Sequence, residues 1–381
     1  MKILFFVSSM HAGGAERVAA TLASAWAQRG DHVTLVPSYT KKGSLFYPLD
    51  AGVELTWLAD RMGWLGRTWF ASVAKWFAMR RLIKETRPDV VVSFLTNVNV
   101  MVLLAARGLD VSTIVCERTN PSVSSSAGRA LVWLRRHTYP WASLVTVQSQ
   151  DSVASFQKMV PTLRRIAVIP NPLPPELAGA LPVRDVQRLE SAPRRRRMVA
   201  MGRLMPVKRF GPLILAYGTL AGDFPEWDLY IWGEGPLRPE LMSMVQTAGL
   251  EGRVFLPGRT STPWEELAAA DVFVLASEVE GFPNVLLEAM ALGVACVTVD
   301  CPSGPRELSR DGEDALLVPL GDDQALAAAM AQLMTDPVLR GVLGKHAAVS
   351  VRDRYALPEI LHQWDGLIAS VQQPNSQEVQ V

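Results

Sequence analysis

What most constrains this chain is a rhythm in which short continuous apolar runs, bounded by Gly, Pro or charge, alternate with stretches of helical periodicity. Runs at residues 2–9, 32–37, 53–58, 89–94, 112–116 and 143–148 read as buried strands, with helical patterns between most of them. Strands joined through helices build a parallel, doubly wound α/β sheet. A further run, Ile166-Ala167-Val168-Ile169, ends in Pro170-Asn171-Pro172-Leu173-Pro174-Pro175, and the chain stays rich in Pro and charge up to Arg197. A second series starts at Met198-Val199-Ala200-Met201-Gly202 and continues near 227–232, 253–256, 272–277, 295–299 and 315–319. At 381 residues the chain is comfortable for two domains, each with its own core. The expectation is therefore an α/β protein of two Rossmann-like domains, 1–171 and 197–356, joined by a linker at 172–196 and facing each other across a cleft. An amphipathic segment near 357–371 is expected to cross back to the first domain.

The formal charge of +1 hides an asymmetry: residues 1–170 carry +10 and residues 171–381 carry −9. A basic half beside an acidic one points to different partners for the two. Cys116, Cys296 and Cys301 lack C-x-x-C spacing and are too few for a disulfide scaffold, which fits a reducing cytosol. The opening run is too short for a signal-peptide core, and no run approaches the ~20 apolar residues that span a bilayer. Membrane contact is expected to be peripheral. Neither an Asp-x-Asp cluster nor a His set is present to bind a metal.

The densest chemistry follows the run Val272-Phe273-Val274-Leu275-Ala276-Ser277. There Glu280-Gly281-Phe282-Pro283-Asn284-Val285-Leu286-Leu287-Glu288 passes from a strand end through a Gly/Pro turn into a helix, with Asn284 as the expected cap. Ligands of open α/β sheets bind outside the carboxyl ends of strands, and the amides at a helix start favour a phosphate. Glu288, about one helical turn further in, is within reach of a sugar hydroxyl. Other strand ends carry Gly202-Arg203-Leu204-Met205-Pro206-Val207-Lys208, Gly233-Glu234-Gly235 and Pro257-Gly258-Arg259. Cations in the first can neutralise a diphosphate, and the glycines let a ligand approach backbone. In the first half, Gly13 and Gly14 stand at a helix entrance without the G-x-G-x-x-G spacing of a dinucleotide site. The glycine turns and the basic cluster alone read equally as ordinary turns and a solvated loop, whereas two surface carboxylates on one helix is the lesser reading of Glu280 and Glu288 in their Gly-Phe-Pro-Asn setting.

In combination these residues resemble the second domain of retaining GT-B glycosyltransferases of the large family 4, the E-x7-E type. Gly304-Pro305-Arg306-Glu307 and Gly312-Glu313-Asp314-Ala315-Leu316-Leu317-Val318 extend the match. The resemblance implies that Arg203 and Lys208 meet the donor diphosphate, Glu288 the ribose hydroxyls and Glu280 the donor sugar. Gly13, Gly14, Gly202, Gly233, Glu234, Phe282, Pro283, Asn284 and Val285 would line the donor. A UDP-sugar is then a co-substrate, with no metal or other cofactor. Retention is explained in this family by front-face attack; Glu280 as a covalent nucleophile is the alternative. One departure stands out. Where many relatives carry a His in a first-domain loop, this chain has Glu117-Arg118-Thr119-Asn120-Pro121. With Ser93 to Asn99 and Gly13 to Arg17, that loop resembles a subset adding N-acetylhexosamine, often N-acetylgalactosamine, to polyprenyl-diphosphate glycans. Glu117, Arg118 and Asn120 are candidates for donor or acceptor contact, although Glu117 reads equally as half of a structural ion pair with Arg118 or another cation.

Residues 64–81 are helical in composition and dense in aromatic and basic residues, with Arg67, Trp69, Lys75, Trp76, Arg80 and Arg81 among them. Trp69, Val73, Trp76, Phe77 and Arg80 recur at spacings of three and four, a stripe suited either to the core or to the headgroup level of an anionic bilayer. Leu131 to Trp141 has similar character, and the +10 charge favours the membrane. The resulting expectation is a bacterial hexosyltransferase on the cytosolic face of the cell membrane, extending a polyprenyl-diphosphate-linked glycan. A soluble GT-B phosphorylase or nucleotide-sugar epimerase, and a non-catalytic nucleotide-sugar-binding subunit, are the alternatives. Nucleic-acid binding is disfavoured, because the basic residues lie among aromatics and no such module is present.

Overall fold

Seven apolar runs of the first half pair as parallel strands: β1 (Lys2–Val7), β2 (His32–Pro37), β3 (Val53–Leu55), β4 (Val90–Phe94), β5 (Ser112–Cys116), β6 (Leu144–Val147) and β7 (Ile166–Val168). A second sheet holds β8 (Arg196–Met201), β9 (Trp227–Trp232), β10 (Val254–Gly258), β11 (Val272–Leu275), β12 (Ala295–Asp300) and β13 (Leu316–Pro319). The computed structural model describes residues 1–39, 45–63, 70–118, 128–179 and 195–372. Contacts divide the chain into one unit of Met1–Pro172 with Pro358–Val381 and another of Leu173–Leu357. Residues 180–194, most of the expected linker, lie outside the described residues.

The strand orders are β3-β2-β1-β4-β5-β6-β7 and β10-β9-β8-β11-β12-β13. Helices cover both faces, so β1 is buried from Ile3 to Val7 and its sequence shows no polar alternation. β1 pairs with β2 on one side and β4 on the other, and β8 likewise lies between β9 and β11. At each of these points successive crossovers run to opposite sides, which opens a crevice at the carboxyl ends of the strands. The run at 53–58 shortens to three paired residues. β3 is an edge strand with one partner, and at Trp57 the chain turns into the short helix Leu58–Arg61.

The first core closes around rings: Phe5 meets Trp26 at 5.8 Å and Phe94 at 4.7 Å, edge-on in both cases. Trp26 in turn takes Trp364 at 5.5 Å, with the ring planes perpendicular. Trp364 lies on the last helix, Leu357–Gln372, fixed further by Arg29 to Asp365 (2.7 Å) and by Ser112 Oγ donating to the Val371 carbonyl (2.7 Å). A segment nearly 200 residues distant in sequence thus completes the first unit's core. Trp364→Ala should lower the stability of that unit by about 3–5 kcal/mol. The check is a urea titration of the full chain followed by tryptophan fluorescence.

Candidate functional site

In the second unit the loops that leave successive strands are tied to one another through backbone. The Gly202 amide donates to the Trp232 carbonyl (2.9 Å), Leu204 to Glu234 (3.0 Å) and Gly233 to Gly258 (2.8 Å). On the other side of β8, Glu278 donates to Val207, Glu280 to Pro302 and Ser303 back to Glu280, at 2.8, 2.8 and 3.0 Å. Gly233 is required here. Its φ is +145°, and a Cβ on it would lie 1.8 Å from the Gly202 carbonyl oxygen.

This scaffold brings Lys208 and Glu280 together. The short 3₁₀ turn Pro206–Lys208 aims Lys208 Nζ at Glu280 Oε1, 2.6 Å away, with the two side chains 20% and 10% exposed. Beside them burial pushes the Cys301 thiol up to about 12, with the Glu280 charge adding to the rise and Lys208 opposing it. Arg203 is exposed on the adjoining loop, and Glu234 pairs with Arg238 at 3.3 Å. An oxyanion entering here meets a lysine whose present partner is a single carboxylate, so it can compete for that cation.

The helix after Glu280 runs Asn284–Ala291, with Pro283 rather than Asn284 in the cap position. The expected Asn284 side-chain cap is therefore corrected. The Phe282 carbonyl accepts from the Asn284 amide and Pro283 closes the first turn, its carbonyl accepting from Leu286 at 2.9 Å, so Asn284 is already helical. Phe282 is buried edge-on against Tyr355, and Val285 is half-buried. Glu288 is only 2% exposed, and its Oε2 accepts from Trp264 Nε1 at 3.0 Å. Trp264 carries no signal in the sequence; only the helix Pro263–Ala268 folding beside Glu288 makes it a partner.

In the first unit Gly13 precedes the helix Gly14–Gln28, and a Cβ on it would meet the Glu16 carboxylate at 2.2 Å. Glu16 accepts from Ser9 Oγ at 2.7 Å. At the end of β5 the Glu117 carboxylate is closed by the Thr96 hydroxyl (2.8 and 2.9 Å) and the Tyr139 hydroxyl. Burial raises its pKa, while Tyr139, Arg135 and Thr96 pull it back. Of the cations open to Glu117, the charge that acts on it is that of Arg135, and Arg118 is not paired with it. Arg118 lies instead over the Phe94 ring, 3.6 Å from its centroid. Tyr139 is fully buried rather than part of a membrane-facing stripe, a correction to the amphipathic reading of residues 131–141. Val132, Trp133 and Trp141 are the large apolar side chains of that segment that stay exposed, at 38%, 60% and 40%.

The helix Ala71–Thr86 presents Val73 and Phe77 to solvent and tucks Trp76 against the core. Arg80 turns inward, donating to the carbonyls of Ala105 and Arg107 at 2.7 and 2.8 Å, and Arg81 pairs with Glu85. The predicted single stripe is thus split between core and surface, because the helix packs its Ala74, Ala78 and Leu82 face on the sheet. Lys75 Nζ sits over the Tyr39 ring at 3.1 Å, and burial brings its pKa down to about 8. Arg67, Trp69 and Asn120 lie outside the described residues.

Residues 13–172 match the family described as Glycosyl transferase 4-like domain, and residues 184–349 match Glycosyl transferases group 1. The chain belongs to the glycosyltransferases, one half carrying each of these domains. Over 376 residues it is 29% identical to a Campylobacter jejuni GalNAc-alpha-(1->4)-GalNAc-alpha-(1->3)-diNAcBac-PP-undecaprenol alpha-1,4-N-acetyl-D-galactosaminyltransferase, covering 97% of this chain and 99% of the relative. Among solved structures it resembles S. aureus TarM in complex with Fondaparinux, alpha-GlcNAc-glycerol and UDP (TM-score 0.79, 13% identity, 97% and 100% of the two chains). Anabaena HepE in complex with UDP and glucose is similar at TM-score 0.75, with 22% identity and coverage of 97% and 100%. At such identities these likenesses show the fold, which is GT-B.

Gly233→Ala should unfold the tie between the β8 and β9 loops and destabilise the second unit by about 3 kcal/mol or more, through strain and collision with Gly202. A thermal melt against wild type tests this.

Proposed function

We propose that the chain is a retaining, metal-independent hexosyltransferase that moves an N-acetylhexosamine from a UDP-sugar onto a polyprenyl-diphosphate-linked glycan at the inner face of a bacterial membrane. The observation that carries the reading is the Lys208–Glu280 contact at 2.6 Å, set on loops that leave β8 and β11. Lys208 and Arg203 meet the donor diphosphate, and Glu280, released from Lys208, turns to the donor sugar. Glu288, held by Trp264, receives the ribose hydroxyls. Gly202, Gly233, Glu234 and the stretch Phe282 to Val285 line the donor in the second unit. Likeness over 97% of the chain to the C. jejuni enzyme, whose name states N-acetyl-D-galactosaminyl transfer and a PP-undecaprenol-linked glycan, supports the transferred sugar and the acceptor class.

In the proposed step the bond from the sugar C1 to the β-phosphate oxygen breaks while C1 bonds to an acceptor hydroxyl on the same face. The acceptor proton passes to the departing phosphate. Negative charge grows on the leaving diphosphate, so preorganised cations supply the main stabilisation. Lys208 and Arg203 are suited to this part, one as a point charge and the other as a fork.

Incubating the protein with a panel of UDP-sugars and a short lipid-diphosphate glycan, with products read by mass spectrometry, tests the whole reading. Transfer of N-acetylhexosamine is expected. No transfer from any donor, with Glu280→Gln matching wild type, would sink it. Lys208→Ala should cut turnover by about 10²–10³-fold while the protein stays folded.

The membrane part rests on Phe70, Val73, Phe77 and Trp133, all exposed large apolar groups in a half that carries +10. No described helix is long and apolar enough to cross a membrane. Vesicles with anionic lipid should float the wild-type chain, and Phe77→Glu with Trp133→Glu should abolish flotation. Because burial depresses Lys75 to about 8, its charge is present below that pH and fades as the pH rises through it. Flotation should weaken over the same range, by up to about 1 kcal/mol for this one charge.

A further inference from the structure

Glu117 and Arg118 leave β5 side by side and both are buried, yet their charges do not meet. Glu117 has Thr96 and Tyr139 as donors and Arg135 as the cation that offsets it. Arg118, 8% exposed, has no such offset. Phe94 covers one face of its guanidinium. With the Gln148 amide oriented to satisfy its neighbours, its nitrogen donates to the Arg118 carbonyl (3.0 Å) and its oxygen accepts from Arg118 Nη1 (3.3 Å). Nε and Nη2 are buried without an acceptor among the described residues. Burial has lowered the pKa of the group to about 10.

A guanidinium kept dry without a counter-ion is strongly unfavourable, and a side chain that merely filled this space would be apolar. The unsatisfied atoms are also specific. Nε–H and Nη2–H lie on one edge of the guanidinium, the fork that takes two oxygens of a single oxyanion in its plane. Phe94 on the face and Gln148 at Nη1 hold that plane, so the fork is preorganised.

We propose that Arg118 is a substrate-binding residue whose Nε–Nη2 edge receives two oxygens of a phosphate group. This rests on the reading of the chain as a transferase of diphosphate-bearing substrates, and it names one cation in the first unit that meets such a diphosphate. Both nitrogens are closed to solvent, so a phosphate reaches them only as the atoms over them give way. The phosphate belongs either to the nucleotide donor or to the lipid carrier, and the two are separable.

Full-length wild type, Arg118→Met and Arg118→Lys are titrated calorimetrically with inorganic pyrophosphate, with UDP and with a short-chain prenyl diphosphate, and each is unfolded in urea. Arg118→Met is expected to keep or raise its urea midpoint, since it removes an unpaired buried charge, while pyrophosphate affinity falls at least tenfold. Arg118→Lys should restore only part of the affinity, because an ammonium offers no planar fork. Loss for UDP alone assigns the donor phosphate, and loss for prenyl diphosphate alone assigns the carrier. Equal affinities of wild type and Arg118→Met for all three ligands overturn the proposal, as does a lowered midpoint with binding intact. Binding of glucuronate but not pyrophosphate through Arg118 also overturns it. Absent sugar transfer with Arg118-dependent pyrophosphate binding refutes the transferase reading alone; transfer with Arg118-independent binding refutes this proposal alone.

Discussion

Every strand pair in both sheets is parallel, and this one constraint arranges the rest of the molecule. Parallel neighbours need crossovers, and crossovers of one hand place every strand's exit on the same edge. Chemistry-bearing residues separated by tens of positions thereby become neighbours without long loops. Lys208 and Glu280 are 72 residues apart in sequence and 2.6 Å apart in space for this reason. The same logic gathers Thr96, Glu117 and Tyr139 in the first unit.

Within that frame loops and buried turns treat charge differently. The second unit presents cations at loops, where Lys208 has a single carboxylate partner and Arg203 faces solvent. Exchange of partners is open there, because the oxygens of an anionic ligand can replace a carboxylate on the cation. Elsewhere charge is enclosed, at Glu117, Arg118 and Arg135 in the first unit and at Asp228, Asp271, Asp314 and Arg340 in the second. Glu117 is satisfied by hydroxyls, so its geometry is fixed by hydrogen bonds whose removal would strand a buried carboxylate. Such networks rigidify the turn that carries them. Leu95, at φ +77° beside Thr96, shows that the same turn holds a backbone conformation few non-glycine residues adopt.

Much of this was legible in the sequence. Continuous apolar runs identified the strands because strands buried on both faces cannot alternate, and Gly, Pro and charge marked their ends. The glycosyltransferase character was carried by Glu280 to Glu288 in its Gly-Phe-Pro-Asn setting together with Gly202, Arg203 and Lys208. Less legible were features fixed by tertiary neighbours. Asn284 looked like a cap, but the Pro283 backbone set the helix start. Trp264 and Tyr139 had no local pattern, since an indole or phenol finds its buried acceptor only when distant elements pack. The stripe from Val73 to Arg80 divides between core and surface for a related reason. Spacing shows that residues share a helical face, but not whether the neighbour of that face is a sheet or solvent.

The docking of Trp364 on Trp26 has a consequence for synthesis. The first unit is nearly complete in sequence by Pro172, yet its core lacks a ring until the last helix leaves the ribosome. At 5–20 residues per second that interval is roughly 10–40 s. During it the nascent first unit exposes the face of Trp26 that Trp364 will cover, while the second unit can fold from its own contiguous segment. The amino-terminal unit is thus finished after the second, and its nascent-chain stability should rise late, when the helix Leu357–Gln372 arrives.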